Sequence, residues 1–85
     1  MSNFWDTELF VNEIGVSDTK RIVIKHVTKG KNKYVDVRQQ FKSGNEWKYG
    51  KGIAIPYDVA LGVGESIVES IAKAERLEEK VFEEV

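Results

Sequence analysis

Short runs of apolar and β-branched residues, separated by polar turns, fill the first two thirds of the chain. Four of these runs predict β-strands, at residues 9–16, 21–27, 34–38 and 47–55. Polar, glycine-containing segments at residues 29–33 and 42–46 predict the turns of two hairpins. The pattern therefore predicts a sheet of four antiparallel strands over about residues 8–55.

Alternation with a period of two is clearest in the third run. It predicts that Val35 and Val37 point inward while Asp36 and Arg38 point outward. In the fourth run, two glycines three and five residues after Trp47 predict a bulge or a close approach between backbones.

From Pro56 onward the period changes to 3.6 residues, as expected if this proline occupies the first helical position. The apolar stripe consists of Val59, Val63, Ile67, Ile71, Ala74, Leu77, Val81 and Val85. Over about 27 residues this stripe would be roughly 40 Å long, whereas a nine-residue strand spans about 30 Å. The helix must then overhang into solvent or pack on a second copy, and the second arrangement is favoured. The expected dimer interface consists of Val63, Ile67, Ile71 and Ala74.

Composition limits the class of protein. With 85 residues, 41% of them apolar and 32% charged, the chain is expected to form one soluble α+β domain. The absence of cysteine and the single histidine exclude disulfides and zinc sites that need several Cys or His ligands. No serine lies in a recognisable nucleophile turn, so we expect neither an enzyme nor a cofactor. Because the sequence contains no membrane span and no signal peptide, we expect a cytoplasmic protein, or a nuclear one in a eukaryote.

Charge is distributed unevenly, although the formal net charge is only −1. Residues 1–19 carry four acidic and no Lys or Arg side chains, residues 20–51 carry ten basic and two acidic ones, and residues 52–85 carry three basic and eight acidic ones. A basic centre between acidic ends suggests a surface that binds a polyanion. A solvated, lysine-rich face of the sheet would give the same pattern.

Aromatic and basic residues alternate around the second predicted turn, from Phe41 to Lys51. This combination binds single-stranded nucleic acid, because cations follow the backbone while flat rings stack on unpaired bases. A cross-strand pair of Phe41 and Trp47 that caps the core would explain the same rings.

The run Val35-Asp-Val-Arg38, the aromatic Phe41 and the motif Lys48-Tyr-Gly-Lys-Gly-Ile53 resemble a known family. They are similar to the single-stranded DNA-binding core of the transcriptional coactivator positive cofactor four, also called the p15 coactivator family. The resemblance extends backward through Lys29-Gly-Lys31 and forward into the terminal helix, over roughly residues 20–75. It implies a homodimer of curved four-stranded sheets, joined through antiparallel helices and forming two channels for single strands.

The resemblance also implies roles for individual residues. Lys29 and Lys31 match the basic turn of the family, Arg38 its strand arginine and Phe41 its stacking aromatic. The backbone-contacting lysines correspond to Lys48 and Lys51. Trp47 and Tyr49 depart from the family pattern, and their expected role in DNA binding comes from their chemistry alone. The full set expected to contact DNA is Lys20, Arg21, Lys29, Lys31, Lys33, Arg38, Phe41, Trp47, Lys48, Tyr49 and Lys51.

The expected ligand is single-stranded DNA, with RNA as an alternative, and the expected protein partners are a second copy and proteins of replication or transcription. The chain does not carry the Ser- and Lys-rich tail of eukaryotic members. We therefore expect a compact bacterial or phage-type version that serves replication, recombination or transcription. A function of another class, a dimeric adaptor that binds proteins through Phe4, Trp5 and the acidic helix end at residues 75–85, also fits the sequence.

Overall fold

The computed structural model describes the backbone of residues 4–83 and the side chains of residues 4–77. Four strands precede one helix: β1 (Thr7–Ser17), β2 (Lys20–Lys29), β3 (Asn32–Ser43), β4 (Glu46–Pro56) and α1 (Tyr57–Glu83). Neighbouring strands pair antiparallel in the order β1-β2-β3-β4. The predicted α+β fold, an antiparallel four-stranded sheet followed by a C-terminal helix, is confirmed.

Glycine shapes the turns of the two central hairpins. Gly30 and Gly44 are the first residues of two-residue loops, and their φ angles are 62° and 64°. The second loop residues, Lys31 and Asn45, do not have a positive φ. A positive φ at the first loop position alone is the signature of a type II′ turn, which glycine adopts without steric cost. Both turns were predicted from these polar, glycine-containing segments.

The predicted irregularity in the fourth strand is a bulge between β3 and β4. The register shifts between the pairs Arg38–Gly52 and Gln40–Tyr49. A Cβ at position 52 would lie 2.7 Å from the carbonyl oxygen of Val37 and 2.8 Å from the Cα of Arg38. The close backbone approach predicted from the glycines is therefore present, and it bends the sheet at this point.

The boundary between sheet and helix differs by one residue from the prediction. Pro56 is the last residue of β4, opposite Tyr34, and α1 begins at Tyr57. Proline is compatible with the end of a strand on the sheet edge, because its nitrogen has no hydrogen to donate to a neighbour. Of the predicted stripe, Val85 lies outside the described residues, and Val81 outside the described side chains.

The strand register defines two faces of the sheet, because residues paired directly across strands share a face. The first, here called the groove face, carries Arg21, Val23, Lys25, Val27, Tyr34, Asp36, Arg38, Gln40, Trp47 and Tyr49. The second, here called the apolar face, carries Leu9, Ile14, Ile22, Ile24, Val35, Val37, Ile53 and Ile55. Helix α1 starts on the apolar side, where the ring of Tyr57 meets His26 edge to face at 5.6 Å.

The alternation predicted in β3 is present, but the side of the strand that is buried is opposite to the predicted one. Asp36 is 4% exposed, whereas Val35 and Val37 are only half-buried. The reason is that Asp36 faces a groove whose walls cover it and is bound there by Arg38. The valines face the apolar side, which this single chain covers only in part.

Helix α1 packs mainly against β3 and β4, and its first residue, Tyr57, also meets His26 of β2. Its apolar stripe remains open, with exposed fractions of 50% at Val59, 57% at Ile67 and 54% at Ile71. Within one chain the helix thus overhangs the sheet, as its length suggested. In the described part of the chain, no helix combines the length and the apolar character needed to cross a membrane.

Candidate nucleic-acid interface

A groove with a volume of about 710 Å³ opens on the groove face. Aromatic rings and positively charged side chains dominate its lining, which consists of Phe4, Trp5, Lys25, Lys29, Tyr34, Asp36, Arg38, Tyr49 and Ala54. The groove crosses the sheet from β4 to the segment that precedes β1.

The floor of the groove is an ion pair between two residues of β3. Arg38 donates from Nη2 to Oδ1 of Asp36 at 3.0 Å and from Nε to Oδ2 at 3.2 Å. A third guanidinium nitrogen, Nη1, donates to the carbonyl oxygen of Gly50 at 3.4 Å. The hydrogen bonds to Asp36 raise the pKa of Arg38 above its ordinary value. The guanidinium is therefore fixed in position, and its side chain keeps 31% of its surface exposed.

Lys25 of β2 lies at the centre of the groove. Its ammonium donates to Oε1 of Glu8 at 2.8 Å and to the hydroxyl of Tyr49 at 2.7 Å. Burial lowers the pKa of Lys25, but the hydrogen bonds to Glu8 and Tyr49 raise it further, so the net shift is upward. Lys25 is thus held in its charged form at neutral pH.

Arg21, also of β2, stacks on an aromatic ring. Its guanidinium carbon lies 4.0 Å from the centroid of Trp47. Nη1 forms a 3.2 Å ion pair with Glu13, and Nε donates to Oε1 of Gln40 at 2.7 Å. One face of the Trp47 ring is therefore covered by a cation, and the ring as a whole is half-buried.

The segment before β1 closes one end of the groove. The Trp5 ring lies 5.5 Å from that of Tyr34, and Phe4 meets Trp5 edge to face at 4.8 Å. The ammonium of Lys29 lies 4.8 Å from the centroid of Phe4. The two residues assigned to the adaptor hypothesis thus belong to the same groove as the cations.

The structure brings five of the predicted DNA-contacting residues together on the groove face: Arg21, Lys29, Arg38, Trp47 and Tyr49. Two others are exposed at its margins, Lys31 in the β2–β3 turn and Lys51 at the bulge. The remaining four, Lys20, Lys33, Phe41 and Lys48, have register positions on the apolar side. Lys33 lies there 5.6 Å from the ring centroid of Tyr57.

Phe41 and Trp47 are consequently not a cross-strand pair. Phe41 is opposite Lys48, and Trp47 is opposite Lys42, so the two rings lie on different faces of the sheet. Phe41 is 44% exposed and packs beside Gly50, where an added Cβ would lie 3.1 Å from its ring.

Sequence reasoning missed Lys25, Tyr34 and Trp5 as groove residues. Lys25 and Tyr34 stand in runs that were interpreted as strand structure alone, and Trp5 is remote in sequence from the basic centre. One signal was available: Lys25 shares the period-two alternation of Arg21 and Val23, which placed it on the same face as Arg21.

Carboxylates reduce the positive charge of the groove. Glu8, Glu13 and Asp36 pair with Lys25, Arg21 and Arg38 respectively. The hydrogen-bond partner of Lys29 is instead a neutral one, the carbonyl oxygen of Phe4. Among the described residues, no group of three or more acidic or histidine side chains is placed to hold a metal ion.

A comparison with solved structures identifies the fold. The chain matches the crystal structure of a PC4 homolog from Burkholderia pseudomallei with a TM-score of 0.67 and 23% sequence identity, over 80% of this chain and 95% of that one. No protein-family model and no curated protein matches the sequence. The chain therefore shares the PC4 fold, as the resemblance implied.

Proposed function

We propose that this chain, which has the fold of a bacterial PC4 homolog, binds single-stranded DNA without sequence specificity and acts as a homodimer. It would support replication, recombination or transcription by binding rather than by catalysis. The observation that carries the proposal is the groove itself, where aromatic rings and cations share one face of the sheet.

The rings of the groove favour an unpaired strand. Tyr49 is 52% exposed and Phe4 is 67% exposed, so their surfaces are accessible to a ligand. Stacking on an aromatic ring needs a free base face, which a single strand offers and a duplex hides. Such stacking tolerates any base, which is why we propose binding without sequence preference.

The cations of the groove suit a phosphate backbone. The ion pairs that Lys25 and Arg21 form with Glu8 and Glu13 join partly exposed side chains, and such pairs contribute little to stability, typically about 0–1 kcal/mol. A phosphate can therefore replace a carboxylate at these two cations at small cost. Arg38 differs, because its partner Asp36 is buried, and its exposed edge is the part that remains for DNA.

The surface of the single chain supports the homodimer. Its accessible area is 7083 Å², whereas a compact monomer of 9.7 kDa exposes about 5,100 Å². Its radius of gyration is 16.9 Å, against about 12 Å for a compact domain of this length. Among the described side chains, only Val23 and Val27 are buried hydrophobic ones. The excess area exceeds the roughly 800 Å² per partner that a stable interface buries.

A direct test compares three labelled ligands of equal length: an oligothymidine strand, a mixed-sequence strand and the matched duplex. Fluorescence anisotropy at low salt should show tight binding to both single strands, with similar affinities, and weaker binding to the duplex. An RNA strand in the same titration determines whether RNA is also bound. Equal affinity for strand and duplex, or no binding at low salt, would overturn the proposal and favour the protein adaptor.

A further inference from the structure

We propose that Phe4, Trp5 and Tyr34 form a pocket for one unpaired nucleobase of the bound strand, at the end of the groove beside the β2–β3 turn. This inference rests on the proposed binding of single-stranded DNA. It assigns to the segment before β1 a direct part in that binding, and it gives Phe4 and Trp5 a nucleic-acid ligand instead of a protein one.

Three hydrogen bonds hold the segment in place over the sheet. The amide of Asp6 donates to the carbonyl oxygen of Thr28 at 2.8 Å. Oδ2 of the Asp6 side chain accepts from the amide of Gly30 at 2.6 Å. The ammonium of Lys29 donates to the carbonyl oxygen of Phe4 at 2.6 Å. The two rings of the segment are therefore presented at defined positions, which reduces the entropy cost of binding a ligand there.

The ring geometry leaves room for another flat ring. Trp5 and Tyr34 are tilted by 44° with centroids 5.5 Å apart, and Phe4 is perpendicular to Trp5. No two of these rings stack in parallel, so each keeps a face that its neighbour does not cover. Trp5 is only half-buried, although it packs on the sheet. These three rings line one part of the groove of about 710 Å³, which also extends to Tyr49 and Ala54 of β4.

The charge beside the rings distinguishes a nucleotide from an apolar peptide. Lys29 lies 4.8 Å from the Phe4 centroid, and its hydrogen-bond partner is a carbonyl oxygen rather than a carboxylate. A phosphate can therefore bind Lys29 without displacing an internal anion. A base stacked on the free face of one of these rings, with its phosphate at Lys29, satisfies both features at once.

The test pairs a protein change with a ligand change. Trp5→Leu keeps apolar packing on Tyr34 but removes the stacking surface. Its affinity for an oligothymidine strand should fall about fivefold or more, as for the loss of one stacked base. Its affinity for an abasic strand of the same length should equal that of the unchanged protein, because that strand has the same phosphates and no bases.

A spectroscopic measurement locates the contact. Trp47→Phe leaves Trp5 as the only tryptophan, since the chain has two. Oligothymidine should quench its emission, and the abasic strand should not.

Two results would overturn the pocket. In the first, Trp5→Leu lowers the affinity for the oligothymidine and abasic strands equally, or lowers neither, or the emission of Trp5 does not change when bases are present. The proposed pocket is then wrong, while the proposed binding of single strands stands. If the unchanged protein binds no oligothymidine at all, the proposed function fails and the pocket fails with it.

Discussion

Glycine is required at position 52 because the β3 backbone lies where a side chain would be. Gly52→Ala would place a Cβ 2.7 Å from the carbonyl oxygen of Val37, and overpacking of this kind costs about 1–3 kcal/mol. We expect that loss in the free energy of unfolding, measured by urea denaturation at fixed protomer concentration. Gly15→Ala is the matched strand control, since its Cβ would meet nothing within 4 Å. Equal stability of the two variants would contradict the close approach at the bulge.

At the same residue scale, the contributions of Phe41 and Trp47 to DNA binding can be tested separately, because the two rings lie on opposite faces of the sheet. If the strand runs along the groove face, Trp47→Ala should weaken oligothymidine binding by about 1–3 kcal/mol. Phe41→Ala should then leave binding unchanged and lower the melting temperature. Anisotropy titrations and thermal melts of both variants measure this. Weaker binding in the Phe41 variant alone would place the bound DNA strand on the other side of the hairpin. Phe41 would then be the stacking aromatic that the family resemblance implies.

At the scale of elements, the local pattern was sufficient to predict strands, turns and helix. Period-two alternation and the turn glycines are local signals, because each involves only residues that are close in sequence. They can therefore be recognised before the tertiary structure is known. The covered side of the sheet could not be predicted, because it depends on what packs over each face. Asp36 is therefore buried where the pattern placed it outside. The two-residue turn at Gly44 and Asn45 sets the register that separates Phe41 from Trp47, and the pattern, which predicts only a turn within residues 42–46, does not fix that register.

Strand β1 places carboxylates on the groove face, and this has a measurable consequence. Glu13 pairs with Arg21 at 3.2 Å, so a phosphate must replace it there. Glu13→Gln should strengthen oligothymidine binding by about 0.2–1 kcal/mol, the range of such partly exposed pairs. A matched control is Glu46→Gln, which makes the same charge change at the exposed first residue of β4. Weaker binding by the Glu13 variant would show that Glu13 orients Arg21 for DNA rather than competing with it.

Helix α1 should hold the dimer through its exposed stripe. Burial of Val63, Ile67 and Ile71 contributes about 1.5–3 kcal/mol each. Ile71→Asp would bury an unpaired charge in that interface, so it should dissociate or unfold the protein. Lys73→Gln changes the net charge by the same amount at a side chain that is 62% exposed, and it should remain dimeric. Light scattering at micromolar concentration measures both variants. A folded monomer from the unchanged chain would contradict the dimer.

At the scale of the whole molecule, charge is sorted by surface. The cations Arg21, Lys25, Lys29 and Arg38 share the groove face, while the helix carries most of the acidic side chains of the second half. A dimer would present this set twice. Because these four cations lie along the proposed path of the strand, binding should depend on salt far more than the net charge of −1 suggests.

The expected salt dependence of DNA binding can be stated as the slope of log affinity against log salt concentration. If each subunit neutralises about four phosphates, the dimer neutralises about eight, and the slope of log affinity against log salt for a single strand should be about −6. Lys31→Gln removes one exposed cation of the β2–β3 turn per subunit and should flatten the slope by about 1.4. Lys73→Gln, which removes a helix cation far along the chain from the groove, should leave the slope unchanged. Titrations of oligothymidine at several salt concentrations measure all three slopes. A slope near zero would indicate apolar binding, and equal slopes for the two variants would place Lys31 away from the strand.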